Sequence, residues 1–362
     1  MRGDPSGRGT VRVIVGRLFA TVACVLAVAT LVSLIPSNSW WIRALDFPRL
    51  LILVAIGVTA IGVAVTMIGR WAWIVIAVLA FAAGLQAWRI YPYYWFAPVE
   101  VARADRVAPD DRASCFSVLG LNVYQHNRDY TPTRRLIDRM KPDILLLMET
   151  DQRWVSALAP SLVRYRTRVV RPLGNTYGLV FATNLPVRSA GTRNITDRDT
   201  PTLYARLSAR DGRPFDYVGL HPRPPLPGQD TDLRDRKIEH AALAVADHDV
   251  PRMAMGDFND VAWSRTTQLF KQVGGFLDPR IGRGSFPSFP ADYVSLGWPL
   301  DQLFLSPGFT FRDLRILPDV HSDHRPLAAT VCLAGDRARA RNGSPDDLDA
   351  QARAAARSMS ER

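Results

Sequence analysis

Apolar residues are spread along the 362-residue chain in two different regimes. Within the first hundred positions they form long unbroken runs. Beyond about residue 112 they form short runs separated by polar turns. Three early stretches, residues 18–35, 50–68 and 71–88, are apolar on every face, and the second and third carry no charge. A bilayer core needs about 20 apolar residues of helix, and helices buried in soluble proteins seldom lack a polar stripe. The three stretches are therefore expected to be transmembrane helices. Only Gly69 and Arg70 separate the second from the third, which predicts a tight hairpin. Trp88, Tyr91, Tyr93, Tyr94, Trp95 and Phe96 follow, an aromatic belt suited to the headgroup level.

Arg2, Arg8, Arg12 and Arg17 precede the first run, as in a signal peptide. No small-x-small cleavage site follows, and two more spans come after it, so an uncleaved anchor is expected. Arginines do not decide the orientation: with the N-terminus inside, five (Arg2, Arg8, Arg12, Arg17, Arg70) face five (Arg43, Arg49, Arg89, Arg103, Arg106). The basic flank of the first helix usually dominates, which places the C-terminal domain outside the cytoplasm.

Residues 97–111 read as a polar linker and 334–362 as a disordered Arg/Asp/Ala-rich tail. Between them, over 112–333, strand-like and helix-like segments alternate. Strands are predicted at 115–122, 143–148, 178–182, 202–207, 215–220, 252–255, 300–305 and 326–333. Helices are predicted at 131–140, with Thr131 as N-cap and Pro132 in the first turn, at 154–162 and at 232–247. Such alternation indicates a layered α/β domain.

Composition adds little. The formal net charge is +11, but only Lys141, Lys237 and Lys271 are lysines among 45 basic residues. An arginine bias of that kind reflects genome composition, so the charge is no argument for a nucleic-acid partner. The three cysteines, Cys24, Cys115 and Cys332, form no Cys-x-x-Cys pair, which excludes a zinc ribbon or a thioredoxin-like motif.

The candidate chemistry lies just past strand ends, where α/β folds place ligand sites. Asn122, Glu149, His221, Asp257 and Asn259 each follow an apolar run; Asp301 opens one, and Asp323 and His324 precede the last. Taken singly, each has a bland reading: Glu149 as a helix-capping acid, Asn122 and Asn259 as turn residues. His126, His240, His248 and His321 are read as surface or structural.

Taken together, they resemble the endonuclease/exonuclease/phosphatase superfamily. Gly256-Asp257-Phe258-Asn259 and Ser322-Asp323-His324-Arg325-Pro326 resemble two of its motifs. Asn122, Met148-Glu149, His221-Pro222 and Trp298-Pro299-Leu300-Asp301 fall in the family's order, over residues 114–333. The resemblance implies a four-layer α/β sandwich, here preceded by three transmembrane helices over residues 1–96. It implies Mg²⁺ or Mn²⁺ held mainly by Glu149, with Asn122 and Asp323 completing or flanking the site. Asp257 would activate water and Asn259 would hold the water or the phosphate. His324, oriented by Asp301, would contact a phosphate oxygen, and His221 would be a second donor. Tyr124 stands where some family nucleases carry a second acid, so one metal is expected. The family fold makes the first and last strands antiparallel neighbours, which would bring Cys115 beside Cys332, as a disulfide or as two buried thiols.

The expected function is metal-dependent phosphoester hydrolysis, of phosphodiester type, by an enzyme tethered to the membrane. The substrate would be nucleic acid or a phospholipid headgroup. Arg128, Arg134, Arg135, Arg223 and Arg325 are candidates for a basic groove. The alternative is a catalytically inactive membrane protein that uses the fold to bind a partner.

Overall fold

The computed structural model describes residues 5–104, 113–196, 198–246 and 248–343. The chain divides into two compact units, Met1–Pro92 with Leu226–Asp230, and Tyr93–Pro225 with Thr231–Arg362.

The first unit holds three long helices, α1 (Pro5–Val32), α3 (Arg49–Thr66) and α4 (Arg70–Ile90), with a short α2 (Trp40–Arg43) between the first two. All three are long and apolar enough to cross a membrane, and only 22–28% of each apolar window is buried. Their shared seam is thin: Ala23, Ile52, Ile56, Leu79 and Ala82. Outward they present Val54, Val58, Ile61, Val65, Trp73 and Phe81, apolar surface for which water is the wrong solvent. At one end Arg49 donates to Asp46, to Gln86 (2.9 Å) and to Ser33 (3.4 Å), and Gln86 donates to Thr30 (3.1 Å). That polar knot links the end of α1 and the start of α3 to the end of α4.

The second unit is built on two sheets. One has six strands in the order β10-β11-β1-β2-β4-β3 and the other five in the order β5-β6-β7-β8-β9. The first comprises β1 (Cys115–Asn122), β2 (Ile144–Met148), β3 (Thr167–Arg171), β4 (Leu179–Thr183), β10 (Phe309–Ile316) and β11 (Leu327–Leu333). The second comprises β5 (Val187–Arg193), β6 (Thr202–Ser208), β7 (Pro214–Leu220), β8 (Arg252–Asp257) and β9 (Asp301–Leu305). Each sheet contains one parallel pair, β1–β2 and β7–β8. Those pairs are bridged by α5 (Thr131–Met140) and α7 (Asp232–Ala246), since a parallel crossover needs a helix.

The main core lies between the sheets. Leu146, Met148 and Phe181 of one face Leu203, Tyr217 and Met255 of the other. Phe116 stacks on Phe215 (4.8 Å), and Phe309 meets both edge-on. Each buried phenylalanine contributes about 1.5–3 kcal/mol. On the outside, α5 and α6 (Gln152–Leu162) cover the six-stranded sheet through Leu136, Ile137, Trp154 and Leu158. Likewise α7 and α8 (Arg265–Gly274) cover the other through Ile238, Ala241 and Phe270. Four layers result: helices, sheet, sheet, helices.

Several local expectations change. Thr131 is the first residue of α5, not its cap, and Asp129 accepts its amide (3.2 Å). Tyr93 leaves the aromatic belt: it is buried in the second unit, where its hydroxyl donates to Ala262 (2.8 Å). The expected linker is packed over residues 97–104, because Glu100 pairs with Lys271 (2.8 Å) and accepts the Asp278 amide (2.7 Å). The expected tail begins as packed chain too: α9 (Asp336–Arg339) is followed by Asn342, which donates to Pro307 and Phe309 and accepts from Ala102. The rest of the linker, 105–111, and of the tail, 344–362, lie outside the described residues.

Cys115 and Cys332 are register partners on β1 and β11 and form a disulfide across 217 residues. The bridge ties the first strand of the domain to the last. Reducing it, or replacing Cys332 by Ser, is expected to cost about 2–4 kcal/mol. Urea unfolding of the detergent-solubilised chain with and without reductant measures this; coincident midpoints would refute it.

Candidate active site

The two parallel strand pairs end side by side, one in each sheet. Asn122 closes β1, Glu149 follows β2, His221 follows β7 and Asp257 closes β8. Asp301, at the start of the antiparallel β9, pairs with Asp257 across the ladder. The loop before β11 brings Asp323 and His324. With Asn259, two residues past the end of β8, all eight residues singled out in the sequence come from elements that meet at one end of the two sheets.

Asp257 is at the centre and fully buried. Its Oδ2 accepts from Asn122 Nδ2 (3.1 Å) and lies 3.5 Å from His324 Nε2 and 3.7 Å from His221 Nε2. Its Oδ1 accepts the Asn259 amide (2.8 Å), and its own amide donates to Met148 Sδ (3.1 Å). Asn122 also donates to Glu149 Oε1 (2.9 Å), while its carbonyl oxygen accepts the Tyr124 amide (3.0 Å). Glu149 Oε2 accepts the Gln125 amide (3.1 Å). Asn259 Nδ2 donates to the Pro222 carbonyl (2.9 Å), joining the loops after β7 and β8. His324 Nδ1 lies 2.7 Å from Asp301 Oδ2.

The backbone at these ends is strained. Tyr124 (φ 55°), Glu149 (φ 61°) and Asn259 (φ 47°) are all left-handed, and residues held this way cluster at functional sites. Gly178 explains how Glu149 is held. A Cβ there would stand 1.9 Å from the Thr150 carbonyl, and the Gly178 carbonyl accepts the Thr150 amide (3.0 Å). Behind Asn259, buried Arg234 donates to its carbonyl (3.2 Å), and Gln302 donates to the Asp260 carbonyl (2.7 Å).

Electrostatics separates the two histidines. Burial pushes His221 down to about 4, with Asp257 opposing and Lys237 adding to the shift. Among the described residues its Nδ1 has no hydrogen-bond partner. Burial also opposes charge on His324, but Asp257, Asp301 and Asp323 outweigh it and raise the ring to about 10. Glu149 is raised by burial, against its hydrogen bonds from Asn122 and Gln125. Asp323 is raised by burial, opposed by His324, with Glu149 and Asp257 adding repulsion.

Three carboxylates that repel one another favour a cation among them. Among the described residues no group of three His, Cys, Asp or Glu closes around an ion. An oxygen-rich, open set is what Mg²⁺ uses, since it keeps several of its waters. Glu149 fits best: its side chain is 16% exposed, whereas that of Asp257 is 1% exposed.

Some contributors had no signal in the pattern. Gln125 holds the 174–176 loop, donating to Gly174 (3.1 Å) and accepting from Thr176 (2.8 Å). The Tyr177 ring lies 5.4 Å from His221, and Ser288 Oγ accepts the Asp301 amide (3.1 Å). Of the candidate groove arginines, Arg223 lies over Tyr177 (5.1 Å) and Arg128 pairs with Asp151 (3.4 Å). Arg325 donates to the Ala291 carbonyl, and Arg134 and Arg135 are exposed on α5.

Compared with known proteins, residues 119–324, more than half of the chain, match the model described as the Endonuclease/Exonuclease/phosphatase family. Similar solved structures include the human Nocturnin catalytic domain with bound sulfate (16% identity, 66% of this chain and 98% of that one, TM-score 0.50). Another is D. rerio TDP2 complexed with a single-strand DNA product (15% identity, 60% and 99%, TM-score 0.50). A third is a mannosyl-6-phosphatase of Bacteroides thetaiotaomicron (16% identity, 60% and 99%, TM-score 0.49). At such identities the likeness is one of fold. No curated protein matches the chain.

In metal-free protein His324 is expected to stay protonated through neutral pH while His221 stays neutral. For His324 the folded value of about 10 exceeds the ordinary 6.5, so its stabilisation is complete below pH 6.5 and is lost as pH rises towards 10. For His221 the sign reverses: between pH 6.5 and about 4 the unfolded chain takes the proton first, so acid destabilises the fold. Ring ¹⁵N shifts recorded in EDTA test both. Asp301→Asn should lower the His324 titration, and an unmoved midpoint would remove Asp301 from the account.

Proposed function

This chain belongs to the endonuclease/exonuclease/phosphatase family, and we propose that it is a divalent-metal-dependent phosphodiesterase held at a membrane by α1, α3 and α4. Members of the family are phosphoester hydrolases that generally use divalent ions such as Mg²⁺. One observation carries the reading for this chain. A single buried carboxylate oxygen, Asp257 Oδ2, is ringed by an amide and two imidazoles drawn from both sheets.

Phosphoryl transfer needs mainly positioning and charge stabilisation, and each group has a task suited to its state. Asp257 is the acceptor for the proton of an attacking water, with its carboxylate orientation fixed by the Asn259 amide and Asn122. His324, kept cationic by Asp257 and Asp301, donates to a phosphoryl oxygen. His221, neutral and flanked by Tyr177, donates a hydrogen bond without adding charge. Asn122 orients the carboxylates of Glu149 and Asp257. Mg²⁺ or Mn²⁺, held mainly by Glu149 with Asp323 flanking, would supply Lewis-acid charge at the phosphate. The substrate is a phosphodiester of nucleic acid or of a phospholipid headgroup; tethering favours the second by raising its local concentration. The Cys115–Cys332 bridge supports a domain outside the cytoplasm, where disulfides persist.

Turnover of a generic phosphodiester, DNA, RNA and sphingomyelin by the purified chain is expected with Mg²⁺ or Mn²⁺ and not with EDTA. Asp257→Ala should reduce kcat by about 10²–10⁴-fold, the usual contribution of a general base. Glu149→Gln should weaken metal binding measured by calorimetry. Metal-dependent turnover that survives Asp257→Ala would overturn the assignment, and no turnover by a folded, metal-binding chain would favour the partner-binding alternative.

Protease added to intact cells is expected to digest the domain from outside. Cleavage only after lysis would reverse the proposed orientation.

A further inference from the structure

The outer face of the five-stranded sheet is unevenly covered. Helices α7 and α8 pack Ile238, Ala242 and Phe270 onto Val218, Ala254 and Phe304 of β7, β8 and β9. Beside them, over β5 and β6, lies a cleft of about 560 Å³, walled by Ala244, Val245 and His248. It is separate from the active site. The cleft reaches Asp216 near the start of β7, whereas His221 follows the end of that strand, about 16 Å away at 3.3 Å per residue.

Its chemistry follows from register. Gly191 pairs with Tyr204 and Ser189 with Arg206, and all four line the cleft. Gly191 leaves the floor open: a Cβ built there meets nothing within 4 Å. Tyr204, opposite, offers a flat, partly buried ring, and the Arg193 guanidinium lies 5.4 Å from its centroid. Three guanidiniums line the cleft, Arg188, Arg193 and Arg206, against one carboxylate, Asp216. Asp216 is already committed. It accepts from Arg206 Nε (2.8 Å) and Nη2 (3.0 Å), and it lies 2.5 Å from His248 Nδ1. Among the described residues, Arg188 and Arg193 have no carboxylate partner.

A cleft within the usual range of about 300–1,000 Å³, with excess positive charge, an aromatic wall and an open floor, has a defined complement. We propose that it is a second ligand site, for a small organic anion. A phosphate or carboxylate head is held by Arg193 and Arg188, and a flat, partly apolar body lies against Tyr204 above Gly191. Arg206, fixed by Asp216, shapes the wall. The ligand is bound here and not transformed, because none of the groups placed at the active site lines the cleft.

Calorimetric titration of the full chain in detergent micelles, in EDTA, tests this with two probes, inorganic phosphate and adenosine monophosphate. One molecule of adenosine monophosphate is expected to bind per chain, more tightly than phosphate. Arg193→Ala should weaken it by about tenfold or more, the worth of one charged hydrogen bond. Gly191→Val should abolish it by filling the floor, while an unchanged Tm reports that the edge strand still folds. His324→Ala, which removes a phosphate donor from the active site, should leave binding intact. The proposal is overturned if adenosine monophosphate does not bind, if binding survives both cleft variants, or if it is lost with His324→Ala. Equal affinity for the two probes would overturn the assigned flat body.

Discussion

The close approach of the two sheets beneath the site is the constraint on which the rest depends. At Gly120 of β1 a Cβ would stand 2.6 Å from Met255 Cε of β8, so the bare backbone there leaves room for the end of that side chain between the sheets. One layer further up, the Asp257 amide donates to Met148 Sδ (3.1 Å), joining the end of β8 to the end of β2. A side chain at 120 would have to displace the Met255 methyl from between the parallel pairs. Asn122, two residues on, spans from Glu149 on its own side to Asp257 on the other. The active site is in this sense a by-product of packing: two buried parallel pairs end together, and their polar termini have nowhere else to go.

The same geometry explains what could be read in the sequence. β1, β2, β7 and β8 are inner strands covered on both faces, and their residues run almost unbroken in apolar side chains. Such runs are conspicuous, and so are the polar residues that end them. The strands with no such signal, β3, β5 and β10, are all sheet edges. Edge strands are commonly polar, which blunts them against pairing with other chains. Thus Thr167–Arg171 and Val187–Arg193 are more than half arginine, threonine and serine, and neither is among the strands predicted from the sequence. α8 differs: Ser264 caps it and Gly275 ends it in the left-handed region, but its apolar face is narrow.

Contacts made with backbone atoms were illegible for another reason. Gln125 holds Glu149 by its amide, and Ser322 Oγ donates to the Asn122 carbonyl (2.7 Å) while accepting the His324 amide (3.2 Å). Such contacts depend on where a loop turns, which the side chain alone does not reveal. The segments taken for linker and tail misled similarly. Glu100 and Asn342 look like solvated polar residues, yet each satisfies buried partners of the domain. Polar composition predicts solvation only when no buried donor is waiting.

The two histidines illustrate how one cluster of acids yields two different groups. Both rings are almost fully buried and both face Asp257 Oδ2 at similar distance. Burial therefore penalises charge on each, and Asp257 rewards it on each. What differs is the other side of the ring. His324 Nδ1 has the Asp301 carboxylate at 2.7 Å, whereas His221 Nδ1 has no partner among the described residues and its ring abuts Tyr177. At His324 the Asp301 and Asp323 carboxylates join Asp257 and turn a net penalty into a net gain, whereas at His221 Lys237 and His324 add to the penalty. The site thus holds a cationic and a neutral imidazole at the same pH. Environments that push like groups apart are what assign distinct roles within an active site, and here the one hydrogen-bonded carboxylate that His324 has and His221 lacks is Asp301, the residue with which β9 begins.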